Sequence, residues 1–158
     1  MMFGFLGFGE GKIGITIKDP NVKKGSKIKG EVVLDLPKPK KANELRVEIR
    51  AERQVKRVEI KPGQTPTTTT DTEVLYSFAL TLDKEREYTS KKYPFEIAVP
   101  KLNISPPAAI PGMGGAGSFM AGRIGTPSAT PVIWRLKAIL DVPMSMDITK
   151  SIQINVID

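Results

Sequence analysis

The chain has 158 residues, 40% of them apolar and 26% charged, which suits one folded core in a globular protein. It contains no cysteine and no histidine, so disulfides, thiolate metal sites and the commonest general base are excluded. The net charge is +7, and residues 1–41 hold nine lysines against four acids, so most of the excess lies in the first quarter.

The chain opens MMFGFLGFGEGK, which lacks the basic start and long apolar run of a signal peptide. No segment approaches the roughly 20 apolar residues of a membrane-spanning helix. The expectation is a soluble, cytoplasmic protein. Within this start, GEGKIG (9–14) matches the G-x-G-x-x-G pattern of dinucleotide-binding loops. That fingerprint follows a strand and opens a helix, so that backbone N–H groups meet the phosphates. Here a short glycine-rich lead-in precedes it and a strand comes after. Gly11–Lys12 is followed by Ile13, where a P-loop needs Ser or Thr. Residues 1–11 are read as a flexible Gly/Phe lead-in, and no cofactor site is assigned.

From residue 12 onward alternation with period two governs the chain, and helical periodicity is absent. Ile13, Ile15 and Ile17 define a first strand. Ile28, Gly30, Val32, Leu34 and Leu36 form the inner face of a second. Leu45, Val47, Ile49 and Ala51 point inward in a third, with Arg46, Glu48, Arg50 and Glu52 outward. The pattern slips between Val55 and Val58, which predicts a bulge or turn near Lys56–Arg57. PGQTPTTTTDT (62–72) reads as a polar hairpin loop. Val74, Tyr76, Phe78, Leu80 and Leu82 resume an inward face, and a charged turn spans Asp83–Glu87. Tyr93, Phe95, Ile97 and Val99 form another strand. Val132, Trp134, Leu136, Ala138, Leu140 and Val142 make the longest run, DVPMSMDI turns the chain, and Ile152, Ile154 and Val156 close it.

Seven to eight strands with Pro- and Gly-bearing turns predict an all-β, antiparallel, immunoglobulin-like β-sandwich spanning residues 12–158. The segment 105–131, SPPAAIPGMGGAGSFMAGRIGTPSATP, stands apart as a long, aperiodic, apolar Gly/Pro-rich loop.

Three stretches, in order, resemble the arrestin family. VKKGSKIKGEVVLDLPKPKKANELRVEIRAE (22–52) is similar to the family's glycine-led turn, I-x-G-x-V-x-L strand and L-x-V-x-I strand. YPFEIAVP (93–100) is similar to its F-P-F-x-F-x-L-P strand. IWRLKAILDVPMSMDITKSIQINV (133–156) resembles the long strand, D-x-P turn and D-I that come after it. Members include arrestins proper, α-arrestins, an arrestin-like retromer subunit and bacterial sporulation-control proteins. The resemblance implies a sandwich of amino-terminal arrestin type, no catalytic site, and work as an adaptor or scaffold. Typical members carry two sandwiches. One is expected here, so the interdomain charge lock is not carried over.

The resemblance also implies that the first strand lies at a sheet edge, where an extended partner can add as a further strand. Lys12, Ile13, Ile15, Lys18, Lys23 and Lys24 are the expected contacts for an acidic or phosphorylated protein tail. A second expectation is membrane-peripheral or self-assembling contact through Phe5, Phe8, Met113, Phe119 and Met120, making a homo-oligomer or a lipid contact. Nucleic acid fits poorly, because the lysine-rich quarter has aromatics only at its start. Catalysis fits poorly as well. Glu48 and Glu52 belong to a solvent-facing ladder, and Asp141 and Asp147 bracket a turn where Asp makes turn hydrogen bonds. No catalytic or metal-ligating residues are assigned.

Overall fold

The structure is a computed structural model that describes residues 11–104 and 128–158. Eleven strands occur in chain order: β1 (Lys12–Ile17), β2 (Asn21–Lys23), β3 (Lys27–Asp35), β4 (Lys40–Ala42), β5 (Glu44–Glu59), β6 (Thr67–Asp83), β7 (Arg86–Tyr88), β8 (Lys91–Ala98), β9 (Ser128–Ala129), β10 (Ile133–Asp141) and β11 (Ile148–Ile157). Seven have six or more residues, as the alternation predicts. Among the described residues there is no helix, and so none long and apolar enough to cross a membrane.

Two compact units divide the chain. The first comprises Met1–Ala51, Tyr76–Leu102 and Ile133–Asp158. Its sheets run β1-β3-β8 and β2-β11-β10-β5-β6, with a small β4-β7 pair. β1 pairs antiparallel with β3 from Lys12↔Asp35 to Ile17↔Gly30, and β3 with β8 from Lys27↔Ala98 to Leu34↔Lys91. β10 and β11 pair from Trp134↔Ile154 to Leu140↔Ile148. The core takes the residues that alternation turns inward. Ile28, Val32 and Leu34 of β3 and Phe95 and Ile97 of β8 are buried, as are Leu45, Val47 and Ile49 of β5 and Leu136 and Leu140 of β10. Each such side chain contributes about 1.5–3 kcal/mol when removed from water. Trp134 is buried too, its ring tilted against Tyr76 at 6.2 Å between centroids.

Polar anchors fix the turns of this unit. Tyr88 is fully buried and its hydroxyl donates to Lys84 O at 2.6 Å. Burial pushes its phenol up to about 12, and the charges of Asp83 and Tyr93 act in the same direction. The Ser90 hydroxyl accepts from Leu36 N–H at 2.8 Å and returns a bond to Leu36 O. Asp147 accepts from Val142 N–H at 3.1 Å, the turn role expected of it.

One pairing departs from the antiparallel expectation: β2 runs parallel to β11, from Asn21↔Asn155 to Lys23↔Ile157. A parallel pair needs a long connection, and a helix is only the commonest way to supply one. Here the rest of the chain lies between the two strands. The chain reaches β2 by leaving the sheet of β1 at Asp19–Pro20 and joining the opposite sheet.

The second unit comprises Glu52–Leu75 and Asn103–Val132. It contains the later part of β5, the earlier part of β6, and β9, which pairs with β5 at Val55↔Ala129 and Lys56↔Ser128. Of the bulge or turn expected near Lys56–Arg57 the turn is excluded, and the loop expected over 62–72 is shortened. β5 runs unbroken through Lys56–Arg57 to Glu59, so no turn occurs there. Residues 62–72 are not all loop, because β6 already begins at Thr67 and the connection is 60–66. Exposed threonines have β-branched side chains that suit a strand, and polar links hold the pair together. Gln54 Nε2 donates to Thr72 Oγ1 at 2.9 Å, and Arg57 pairs with Asp71 at 3.2 Å. Arg53, at an inward position between Ala51 and Val55, is only 6% exposed and holds Glu73 at 2.9 Å. Further along β6, Val74 and Phe78 depart from the inward expectation, and both are about half exposed. β6 ends the sheet order of its strands, and an edge strand covers only part of its apolar face.

Candidate functional site

β1 has one strand neighbour among the described residues, β3, so it ends its sheet. Ile13 is buried in the core and Ile15 is half-buried, so these two offer a partner mainly their backbone. Gly30 of β3 fixes how closely β1 approaches. A Cβ at this position would stand 2.5 Å from Thr16 O, 2.8 Å from Ile17 Cγ2 and 2.8 Å from Phe95 Cζ. Only glycine leaves that space.

Beyond Ile17 the chain leaves the sheet. Asp19 Oδ1 accepts from Asn21 N–H at 2.9 Å, and Asn155 N–H donates to Pro20 O at 2.8 Å. Asn155 Nδ2 also donates to Asn21 Oδ1 at 3.1 Å. The next turn is left-handed at Gly25 (φ 79°), whose N–H donates to Val99 O at 2.9 Å. Ser26 Oγ donates to Lys23 O at 2.6 Å. Both turns are therefore tied to the strands beneath them, and the side chains between them stand on a fixed frame.

Two adjoining open grooves result. The larger, about 710 Å³, lies against Thr16, Ile17, Gly30, Pro94 and Phe95. The smaller, about 310 Å³, has Lys18, Lys23, Lys27 and Lys29 around it, with Asp19 the one carboxylate. Lys18 and Lys29 border both. Lys27 and Lys29 share Glu96, at 3.2 and 3.8 Å, in exposed pairs that hold little energy in water. Four ammonium groups around a concavity attract an anion and speed its arrival more than they tighten its binding.

The expected contacts divide accordingly. Lys18 and Lys23 meet at the smaller groove, joined by Lys27 and Lys29. Lys12 stands at the far end of β1, opposite Asp35 and about 20 Å from Lys18. Lys24 is turned to Asp158 at 2.7 Å, and that ammonium holds the Asp158 carboxyl below its usual range. Asn21 and Ser26 also line the small groove, and sequence reasoning missed them. Their only signals are D-P-N and G-S, both turn sequences. Phe5, Phe8, Met113, Phe119 and Met120 lie outside the described residues, as does most of 105–131. No group of three or more acidic side chains able to hold a metal occurs among the described residues.

A three-stranded sheet and a longer one, with β1 at the edge of the first, make a β-sandwich, and its likeness to a solved structure gives the fold as arrestin-like. Among solved structures the chain is similar to Spo0M, a sporulation control protein from Bacillus subtilis, with a TM-score of 0.58 and 13% identity. The match covers 96% of this chain and 51% of that one, so the chain spans about half the length of Spo0M. No family model matches the sequence, and no curated protein matches it.

Proposed function

We propose that this chain is a non-enzymatic cytoplasmic adaptor that captures an extended acidic or phosphorylated segment of a partner protein along β1. The segment adds as a further strand beside Ile13–Ile17, and its anionic groups reach Lys18, Lys23, Lys27 and Lys29. The observation that carries this reading is the meeting of an edge strand with a four-lysine groove at its end. A sandwich of similar fold in a sporulation control protein supports a regulatory role over a catalytic one.

The test uses a fluorescent phosphoserine-rich peptide followed by anisotropy at low and high salt, with Lys18→Glu/Lys23→Glu beside the wild type. The double variant is expected to bind about tenfold more weakly at low salt, a loss of about 1.4 kcal/mol. Binding should also protect β1 amides from hydrogen exchange. Equal affinity in the two proteins, or binding without protection of β1, refutes the proposal.

A further inference from the structure

The four lysines of the smaller groove are not alike. Lys27 and Lys29 stand on the exposed face of β3, away from the buried Ile28 between them. Lys29 is paired in register with Glu96 of β8, and Lys27, paired with Ala98, is its diagonal neighbour. Both ammonium groups reach that carboxylate, Lys27 Nζ at 3.2 Å from Oε1 and Lys29 Nζ at 3.8 Å from Oε2. One acid thus stands between two cations. Among the described residues no carboxylate pairs with Lys18 or Lys23, and Asp19, the one acid of the smaller groove, accepts from Asn21 N–H.

Glu96 adds little to the fold. Buried Ile28, Phe95 and Ile97 already fix the register of β3 and β8, and exposed ion pairs hold little energy in water. Its consequence lies in what the groove can bind. Glu96 and Glu31 line the larger groove opposite Lys18 and Lys29, so charge balances there, and an anion meets net attraction only at the smaller groove. A singly charged group that takes Lys27 and Lys29 must strip them from Glu96. One carboxylate then replaces another, and nothing is gained. A dianion attracts each ammonium more strongly than Glu96 does, and the flexible lysine stems let both swing across.

We propose that Glu96 sets which anions the lysine groove accepts, keeping Lys27 and Lys29 from a singly charged group and releasing them to a dianion. A monoanion meets Lys18 and Lys23 alone, and a dianion meets all four lysines. This rests on the anion site of the proposed function and not on strand addition along β1. A partner is then selected by the charge on the one group it places in the groove, and its total charge counts for less.

Lysine labelled with carbon-13 at Cε, with signals assigned by single Lys→Arg replacements, reports each side chain by NMR. The probes are sodium sulfate and sodium acetate at matched ionic strength, because near neutral pH sulfate is a dianion and acetate a monoanion. In the wild type, sulfate is expected to shift Lys18, Lys23, Lys27 and Lys29, and acetate to shift Lys18 and Lys23 alone. In Glu96→Gln, an exposed replacement of equal size, acetate should shift all four, and the Kd for sulfate should fall about threefold. Glu31→Gln removes an equal charge from the larger groove and should keep the wild-type acetate pattern. Acetate shifts at all four lysines in the wild type, no change in Glu96→Gln, or the same change in Glu31→Gln overturns the proposal. Sulfate that shifts none of the four overturns it as well. Peptide capture separates the two readings. A phosphoserine peptide that binds without protecting β1, while the ion titrations run as expected, refutes strand addition alone. Protection of β1, with identical titrations in the wild type and Glu96→Gln, refutes the role of Glu96 alone.

Discussion

Replacing Gly30 by alanine puts a methyl group where β1, β3 and β8 converge. The new Cβ would lie 2.5 Å from Thr16 O and 2.8 Å from both Ile17 Cγ2 and Phe95 Cζ. Carbon–carbon contacts are comfortable at roughly 3.5–4.0 Å and carbon–oxygen contacts near about 3.3 Å. The Ile17 and Phe95 side chains can rotate away, but the Thr16 carbonyl moves only if β1 moves. Burying one methyl contributes about 0.8 kcal/mol, and removing a glycine from a strand contributes roughly 0.5–1 kcal/mol more. Overpacking a filled site costs about 1–3 kcal/mol, and more when backbone must shift. The balance favours a loss of about 1–2 kcal/mol, or roughly 3–6 °C in Tm for a chain of this size. Urea unfolding followed by tryptophan fluorescence measures it, because Trp134 is the one tryptophan. Gly14→Ala on β1 is the matched control, since nothing lies within 4 Å of its added methyl. It should leave stability level or slightly raised. If Gly30→Ala is as stable as Gly14→Ala, the close approach of β1 to β3 at this point is wrong.

Breaking the Arg53–Glu73 pair should depend on which partner goes. Glu73→Ala strands a buried guanidinium and should cost about 1–2 kcal/mol in urea unfolding, while Arg53→Met, apolar and of similar length, should cost less. Tyr88 should make the protein sensitive to alkali. Its folded value of about 12 lies above the ordinary value of 10, so its contribution is fully present below pH 10 and lost as pH rises to 12. The loss is at most about 3 kcal/mol. Tyr88→Phe should be less stable than wild type at neutral pH, with the gap closing between pH 10 and 12. A gap that stays constant refutes the assignment. Met144→Gly should raise stability in urea unfolding by up to about 1 kcal/mol by relieving the left-handed backbone, and an unchanged midpoint refutes the strain.

The legible parts of this sequence are those where one face is dry and the other wet. Leu45 to Ala51 and Trp134 to Leu140 alternate because water and core select opposite residues at each step, and the strands lie where that alternation puts them. Thr67–Thr72 carries no such signal, since every side chain there is exposed and the strand is held by polar links such as Gln54–Thr72. Val74 and Phe78 alternate correctly and still stand half in solvent, because periodicity reports a face and not how much covers it. Arg53 sits at an inward parity in plain view, but a charge in a polar run reads as surface until Glu73 is known to lie across from it. For the candidate site, the lysine excess is visible in the sequence and its grouping is not. Lys23 and Lys27 come near Lys18 because the chain changes sheets at Asp19–Pro20 and returns through the left-handed turn at Gly25. No local pattern encodes that path.

The pairing of β2 with β11 also sets a schedule for folding. Asn21 and Asn155 are 134 positions apart in the chain, yet they share a ladder and a side-chain hydrogen bond. Closing a loop of that length comes late and slowly, because its entropy must be lost before any contact repays it. On the ribosome, β2 has no strand to join until nearly the last residue of β11 has emerged. The lysine turn is held by that same junction, through Lys24 to Ile157 O and Asn155 to Pro20 O. A nascent chain therefore has most of its hydrophobic layers before it has its groove, and a ligand of the groove can recognise the chain only after β11 is in place.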